Sequence, residues 1–423
     1  MVSMSVRVVG LGLAFLSHLV LSRALGAQSY GIYVIGLSWA MILAIPARLG
    51  LDNAALRFAT VYREEGRFTT LRGFVITSLA AIGIASVIIA AIMAGLKMLQ
   101  PALLDDVAWG LLWSVAALLV PLALLGWAAA MMRTANRIFE AQFYEQVLRP
   151  FLLIVAVGAA WAAGRAIDSV DAMIVTAASA GFALAAIGVR LARVYQPIRN
   201  QKASFAERRL WLTVSGVMLL QALAQELLNQ LDILLLGALA DATAAAHFSA
   251  AWRLASLVPF GLVAIVTVSG PRIASAHRRG DQLEMANIAK VNARFSLLFA
   301  IGVAAVIVLI GRPVLAAFGP SFGNAYVPLL VLLLGGLVNA FTGSVGYYLL
   351  MTGRQKAALG IVCIALGVSF GANVWLIPRF GVLGAAMAST LCVATWNLLM
   401  LAYVRKTLGI DASAVGLAPR MAG

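Results

Sequence analysis

The sequence predicts an all-α polytopic membrane protein with about 12 transmembrane helices, in two six-helix lobes related by a parallel pseudo-twofold repeat. Three observations carry this reading. Hydrophobic residues make up 63% of the 423 and charged residues 11%, against about half and about a quarter in a soluble domain. Apolar runs of about 20 residues, the length that crosses a bilayer as a helix, recur from end to end. The punctuation also repeats: LSRALG at 21–26 and EEGR at 64–67 return as LLGALA at 235–240 and RRGD at 278–281, an offset of 214 residues. Two similar halves in a membrane chain point to a transporter with its site between them. The runs are helices, because backbone in hydrocarbon must satisfy its own hydrogen bonds and no strand-like alternation is present.

Taken in order, the first span is 6–25; it lacks an A-x-A cleavage site and leads straight into YGIY, so it stays as helix 1. The second, 31–50, gives way to a basic loop holding Arg57, Arg63, Arg67 and Arg72. Span 73–97 ends at Lys97, and 108–132 is followed by Arg133 and Arg137. Span 147–164 stops before Arg165, and 171–193 leads into the basic seam 194–209, with Arg199, Lys202, Arg208 and Arg209. Spans 210–236 and 243–268 open the second half, and a loop with Arg278, Arg279 and Lys290 follows. Span 293–312 ends at Arg312, 326–350 runs up to TGRQ, 357–377 stops before Arg379, and 382–404 meets Arg405 and Lys406. The seam divides the chain into lobes 1–200 and 201–423.

Lys and Arg concentrate on one face of these spans, which the positive-inside rule makes cytoplasmic, with both termini inside. The net charge of +15 follows from that asymmetry. Bases scattered over inside loops suit anionic inner-leaflet lipid and not nucleic acid, which needs them gathered on one module. Cys363 and Cys392 sit in apolar runs and form no disulfide framework or CxxC pair. HExxH, GxSxG and Walker motifs are absent, so no catalytic residue, metal site or cofactor is assigned. The pairs Glu64–Glu65 and Asp105–Asp106 read as solvated turn residues.

Charge at membrane depth is costly and tends to face a cavity. Of 16 acidic residues only Glu226 and Asp232 fall well inside a span, both in LLQALAQELLNQLDILLLG. Gln221, Gln225, Asn229 and Asp232 share a helix face there, a polar stripe whose competing reading is interhelical hydrogen bonding. His18 is the matching oddity on helix 1, and the 214-residue offset sets it opposite Asp232. Its competing reading is a hydrogen bond within its own lobe. Arg253 lies about ten residues into the eighth span and needs a partner or water. It suits an anionic head group, or an ion pair with Glu226 or Asp232. Arg23 and Arg48 are further cavity candidates, with snorkelling to the interface as the alternative. On these spans the cavity is only modestly basic. Glycines and prolines inside spans, among them Gly36, Pro121 and Gly336, read as close packing, with no hinge assigned.

Four passages resemble one family: LSRALGAQSYGIYVIG at 21–36, RLGLDNAALRFATVYREEGR at 48–67, the stretch from FGPSFG at 318 through TGRQ to 360, and IPRFGVLGAAMASTL at 377–391. They are similar to the bacterial polysaccharide (O-antigen type) flippases, of the superfamily that also holds multidrug and toxic-compound extruders and lipid II flippases. The resemblance implies a transporter that moves undecaprenyl-diphosphate-linked oligosaccharide from the cytoplasmic to the outer leaflet of the bacterial inner membrane by alternating access. The diphosphate and sugar would cross a cationic cavity while the lipid tail stays in the bilayer. It also implies coupling to protons, sodium or membrane potential, and a polysaccharide polymerase as a partner. Twelve spans leave out the extra helix pair of the lipid II flippases. Two other functions stay open: a multidrug extruder, whose cationic substrates Glu226 and Asp232 would suit, and a membrane glycan polymerase, which the short outer loops disfavour.

Overall fold

In the computed structural model, residues 2–99, 109–198 and 200–416 are described; Asp105, Asp106 and Arg199 lie outside them. The chain is helical, with no strand among the described residues. Two compact units divide between Gln230 and Leu231.

The first unit opens with α1 (Val2–Arg48), broken at Gly26, whose φ of 73° and ψ of 169° are far from helical. A residue with a Cβ is strained there, so the break separates two membrane-crossing segments. Then come α2 (Leu51–Glu64), α3 (Phe68–Leu99), α4 (Trp109–Thr134), α5 (Ile138–Gln142), a π-helical turn (Phe143–Leu148), α6 (Arg149–Ala162), α7 (Ser169–Val194) and most of α8 (Arg208–Leu239). The second unit holds the rest of α8, then α9 (Ala242–Ala255), α10 (Phe260–Arg279), α11 (Gln282–Phe318), α12 (Tyr326–Thr342), α13 (Val345–Met351) and α14 (Gln355–Leu408), the last broken at Gly381 (φ 54°, ψ −127°).

Nine helical segments among the described residues are long and apolar enough to cross a membrane. Two of them, α1 and α14, each hold two crossings because of their glycine breaks. The α9–α10 pair, interrupted at Ser256–Pro259, takes the place of the eighth expected span. The twelve-span reading therefore stands, with that span in two pieces.

Three of the four longest expected connections are largely helix instead. The supposed loop 51–72 is mostly α2, which buries Leu51, Ala54, Ala55, Phe58, Ala59 and Tyr62. That spacing is one face of a helix, but with Arg57 and Arg63 on the other side its mean hydropathy is too low to stand out. Helix also covers 138–148 and both sides of Gly280. The seam alone is mainly irregular, and it is pinned to α2 and α3. A Cβ on Gly73 would stand 1.8 Å from the Ser204 carbonyl oxygen, and the Ser204 N–H donates to the Thr69 carbonyl at 3.0 Å.

The helix stops share one motif. At Gly66, the Gly66 N–H bonds back to Arg63 and the Arg67 N–H to Tyr62; at Gly280, the Gly280 N–H bonds to His277 and the Asp281 N–H to Ala276. These paired bonds define a Schellman turn, with its left-handed residue closing the helix. The EEGR and RRGD punctuation thus has identical hydrogen bonding in each unit. The same pair of bonds closes the helices at Asn136, Gly164 and Gly353, the last within TGRQ. Asp168, Asp241 and Asp281 then start the following helices by accepting from Asp171, Ala244 and Glu284 N–H groups.

A polar latch holds the seam. The Tyr62 hydroxyl donates to Glu207 and accepts from the Trp211 indole at 2.8 Å, while Arg67 donates to Glu207. Burial, with the Glu207 hydrogen bond second, pushes Tyr62 up to about 12, so it remains a donor. The Tyr62 hydrogen bond outweighs burial and, with Arg67, holds the Glu207 carboxyl below its ordinary value. A carboxyl depressed in the fold stabilises fully above its unfolded pKa, about 4.3, and loses that contribution as pH falls through the folded value. Glu207→Gln is therefore expected to lower the melting temperature of the purified protein by about 2 °C at pH 7. The gap to the unaltered chain closes toward pH 3, and a gap independent of pH would exclude the charged latch.

Candidate functional site

The first unit carries a cationic interior. Arg48 ends α1 but turns inward: its guanidinium contacts Asp52 at 3.4 Å and the Leu122 carbonyl at 3.4 Å. It lies on Gly126 of α4, where a Cβ would come within 2.6 Å of Cζ. Its Nε is buried without a partner. A guanidinium lodged against a helix glycine is a fixed cation, not a snorkelling one.

Arg149 completes the pair. The helix that carries it begins at Ile138, not near 147 as expected, so Arg149 lies eleven residues into the membrane segment Ile138–Ala162. The π-helical turn Phe143–Leu148 directly precedes it; such turns shift helix register and gather at functional sites. Arg149 is half-buried, within electrostatic reach of Tyr33, Glu145 and Arg48. Glu145 bridges to Arg133 at 3.4 Å, and among the described residues no carboxylate forms an ion pair with Arg149. Arg48 already has the Asp52 carboxylate as its counter-ion, so Arg149 is the cation of the two that is left to an incoming anion. Sequence reasoning missed Arg149 because it stood at a span's edge; the signal was the helical run starting at Ile138.

His18 joins this interior from the first half of α1. It is 7% exposed, and its Nδ1 lies 3.1 Å from the Tyr30 hydroxyl. The Tyr33 ring is 6.2 Å away. Tyr33 donates in turn to Thr176 Oγ1 at 3.0 Å, since Thr176 donates to the Ala172 carbonyl. Tyr33 thus stacks near His18 and bonds to α7, within electrostatic reach of Arg149. Arg23, by contrast, is exposed beside the Gly26 break.

On α8, Gln221, Gln225 and Asn229 are exposed. Glu226 is half-buried and accepts from Gln230 at 2.9 Å; Gln230 accepts from Ser38 of α1 at 2.9 Å. The buried Gln230 ties α8 to α1, a role the polar stripe did not indicate. Exposed amides on a helix of membrane-crossing length call for water along that face.

The second unit holds Asp232, 4% exposed. Its Oδ1 accepts from Asn373 Nδ2 at 2.7 Å, and the Ser389 hydroxyl also bonds to it. Asn373 Nδ2 donates further to the Ser369 carbonyl at 2.9 Å, and Asn373 Oδ1 is buried without a partner. Ser369 and Asn373 precede the Gly381 break of α14 and Ser389 follows it. A carboxylate, an unclaimed amide oxygen and a hydroxyl fit a proton or a small hard cation. Among the described residues no cluster of three or more His, Cys, Asp or Glu could hold a metal ion. Arg253, near the end of α9, is half-buried with Nε unpartnered. Among the described residues it forms no ion pair, with Asp232 or any other acid.

Known proteins match this chain in sequence and fold. Residues 1–277 match the family described as polysaccharide biosynthesis protein. The chain is 23% identical over 404 residues to the probable low-salt glycan biosynthesis flippase Agl15 of Haloferax volcanii, covering 95% of this chain and 82% of that one. Among solved structures, an inward-facing multidrug resistance MATE family transporter of the MOP superfamily superposes with a TM-score of 0.75 at 14% identity, covering 96% of this chain and 97% of that one. The lipid II flippase MurJ, in an inward closed conformation, gives 0.74 at 14% identity, covering 96% and 86%. At these identities the likeness is one of fold.

The Arg48–Gly126 contact is directly testable. Gly126→Ala should push aside the Arg48 guanidinium, the movable end of its side chain, and cost about 1 kcal/mol, the low end for overpacking, read as a lower melting temperature. In an Arg48→Ala background the same substitution should cost little. Equal costs in both backgrounds would place the guanidinium elsewhere.

Proposed function

The chain belongs to the polysaccharide biosynthesis protein family, and from that premise we propose that it flips a lipid-linked oligosaccharide across the membrane. The carrier is undecaprenyl diphosphate and the direction is from the cytoplasmic to the outer leaflet of a bacterial inner membrane, with both termini cytoplasmic. The observation that carries the reading is the Arg48–Arg149 pair at membrane depth. A diphosphate is dianionic and rich in acceptor oxygens, and guanidinium forks are the side chains that best replace its hydration. The exposed amides Gln225 and Asn229 offer the neutral hydrogen-bond groups that a sugar needs. His18 lends its Tyr30–Tyr33 cluster to the same interior, Arg23 is a further cation of the first unit, and Arg253 is one of the second.

Transport runs by alternating access, and Asp232 is the coupling site. Proton or sodium binding at its carboxylate, with the Asn373 oxygen and the Ser389 hydroxyl, draws on the ion gradient. The multidrug-extruder reading would place acids, not arginines, at the substrate. Glu226 is engaged with Gln230 and Asp232 with Asn373, so neither acid stands free for an organic cation.

Proteoliposomes loaded with a fluorescent undecaprenyl-diphosphate oligosaccharide test this. Arg149→Ala should slow flipping by roughly 10-fold or more, the scale of one lost charge-assisted hydrogen bond, with Arg149→Lys recovering part of the rate. Asp232→Asn should keep substrate binding while removing the response to an imposed proton or sodium gradient. Full flipping by Arg149→Ala, or efflux of organic cations in place of the glycolipid, would overturn the reading.

A further inference from the structure

Within the second unit, α12 and α13 together cover the tenth expected span and are parted at Gly343, whose φ is 68° and ψ −145°. A break at that point frees a carbonyl. In an unbroken helix the Phe341 carbonyl would accept from the Val345 N–H, four residues on. Here Val345 is the first residue of α13, and the Phe341 carbonyl accepts instead from the Ala414 N–H at 2.9 Å. Ala414 belongs to a strap, residues 410–414, that leaves α14 at Gly409 and turns back into the unit.

The strap is packed as core. Ile410, Ala412 and Ser413 are at most 1% exposed, whereas Val415 just beyond is 70% exposed. Ile410 and Ala412 share one apolar cluster with Ile273, Ala289, Val345 and Tyr348. Asp411 folds the strap, accepting from the Ser413 N–H at 3.0 Å and the Ser413 hydroxyl at 2.8 Å, and Arg405 bridges to it at 2.8 Å. Arg294 of α11 donates to the Ala414 carbonyl at 3.2 Å. Gly343 lies against the strap: a Cβ there would stand 3.0 Å from the Ala412 carbonyl oxygen and 2.8 Å from the Ala293 Cβ.

We propose that strap and break form a two-state switch, in which Ala414 and Val345 compete for the one Phe341 carbonyl. With the strap docked, α12 and α13 are parted. With the strap released, the carbonyl returns to Val345 and the two helices join. A carbonyl in a membrane interior cannot go without a donor, so the exchange of partners is all-or-none. The transport cycle passes through the joined form, which gives the second unit a helix with two shapes. That last step rests on the flippase reading; the switch itself does not.

Hydrogen–deuterium exchange of the strap, read by mass spectrometry on the full chain in nanodiscs, tests the competition. Exchange at 410–414 requires release, so by linkage it reports the state of the helix. Gly343→Ala favours continuous helix and crowds Ala412, and should speed exchange roughly 10-fold or more. Ser344→Pro should slow it about tenfold or more. Ser344 has a φ of −87° and Gly343 before it is already non-helical; proline therefore suits the parted state, but in a joined helix it lacks the N–H and clashes with the Ala340 carbonyl. Should Gly343→Ala fail to fold, Ser344→Ala serves: the Ser344 hydroxyl takes only a 3.5 Å contact from Asn292, and exchange should rise about twofold. Opposite signs at one residue separate the switch from a simple loss of packing, which would speed exchange in both variants. In proteoliposomes Ser344→Pro should bind the glycolipid and flip it roughly tenfold more slowly, while Gly367→Ala, at an open glycine, should leave both readouts unchanged. Strap exchange that is unchanged or faster in Ser344→Pro, or flipping at full rate by that variant, would overturn the proposal. An unaltered chain that flips nothing would overturn the flippase reading alone and leave the exchange result to decide the switch.

Discussion

A backbone carbonyl in hydrocarbon has no water to turn to, and nearly every local choice in this chain answers that constraint. A helix may stop only where something else takes over its last carbonyls. Here the recurring answer is the Schellman turn, at Asn136, Gly164, Gly66, Gly280 and Gly353, and two of the next helices are then started by an aspartate. The breaks inside α1 and α14 obey the same rule, each confined to a single glycine. Turns this compact leave little irregular chain, so the polar machinery must be carried by helices.

Charge inside those helices is held in opposite ways in the two units. In the first, Arg48 and Arg149 are cations placed near each other, one fixed against a glycine and one following a π-helical turn. In the second, Asp232 is enclosed by neutral oxygen and nitrogen groups. Arg48 is paired with Asp52, while Arg149 forms no ion pair among the described residues; Asp232 is a buried carboxyl with neutral partners only. On the proposed reading, substrate and ion chemistry would belong to separate compact units, each organised around its own helices.

The membrane class, the span count and most span positions were legible in the sequence, because length and apolarity decide them and depend on no distant contact. Asp232 was legible too, as a carboxylate within an apolar run. Three features were not. α2 was hidden because an amphipathic helix averages to neutral hydropathy, although its buried face is regular from Leu51 to Tyr62. Arg149 was hidden because a cation near a hydrophobic boundary reads as a boundary; only the helical run through 138–148 moves it inward. The Arg48–Gly126 contact joins positions far apart in sequence, and no local pattern marks it. The EEGR and RRGD match, for its part, proved real at the level of hydrogen bonds. It is also less particular than it looked, since the same turn closes three other helices.

The π-helical turn before Arg149 has a consequence for how such a chain can change. A π turn is a regular helix with one residue inserted. Deleting any single residue from 143–148 would restore ordinary helix with its flanks in register, whereas relaxing into ordinary helix with every residue kept would rotate everything beyond it by about 100°. Arg149 would then leave the neighbourhood of Tyr33 and Arg48 without a single polar side chain being lost. The state of this turn, π or α, would thus act as a coarse dial on the chemistry of the interior, set by the backbone and not by any one polar side chain.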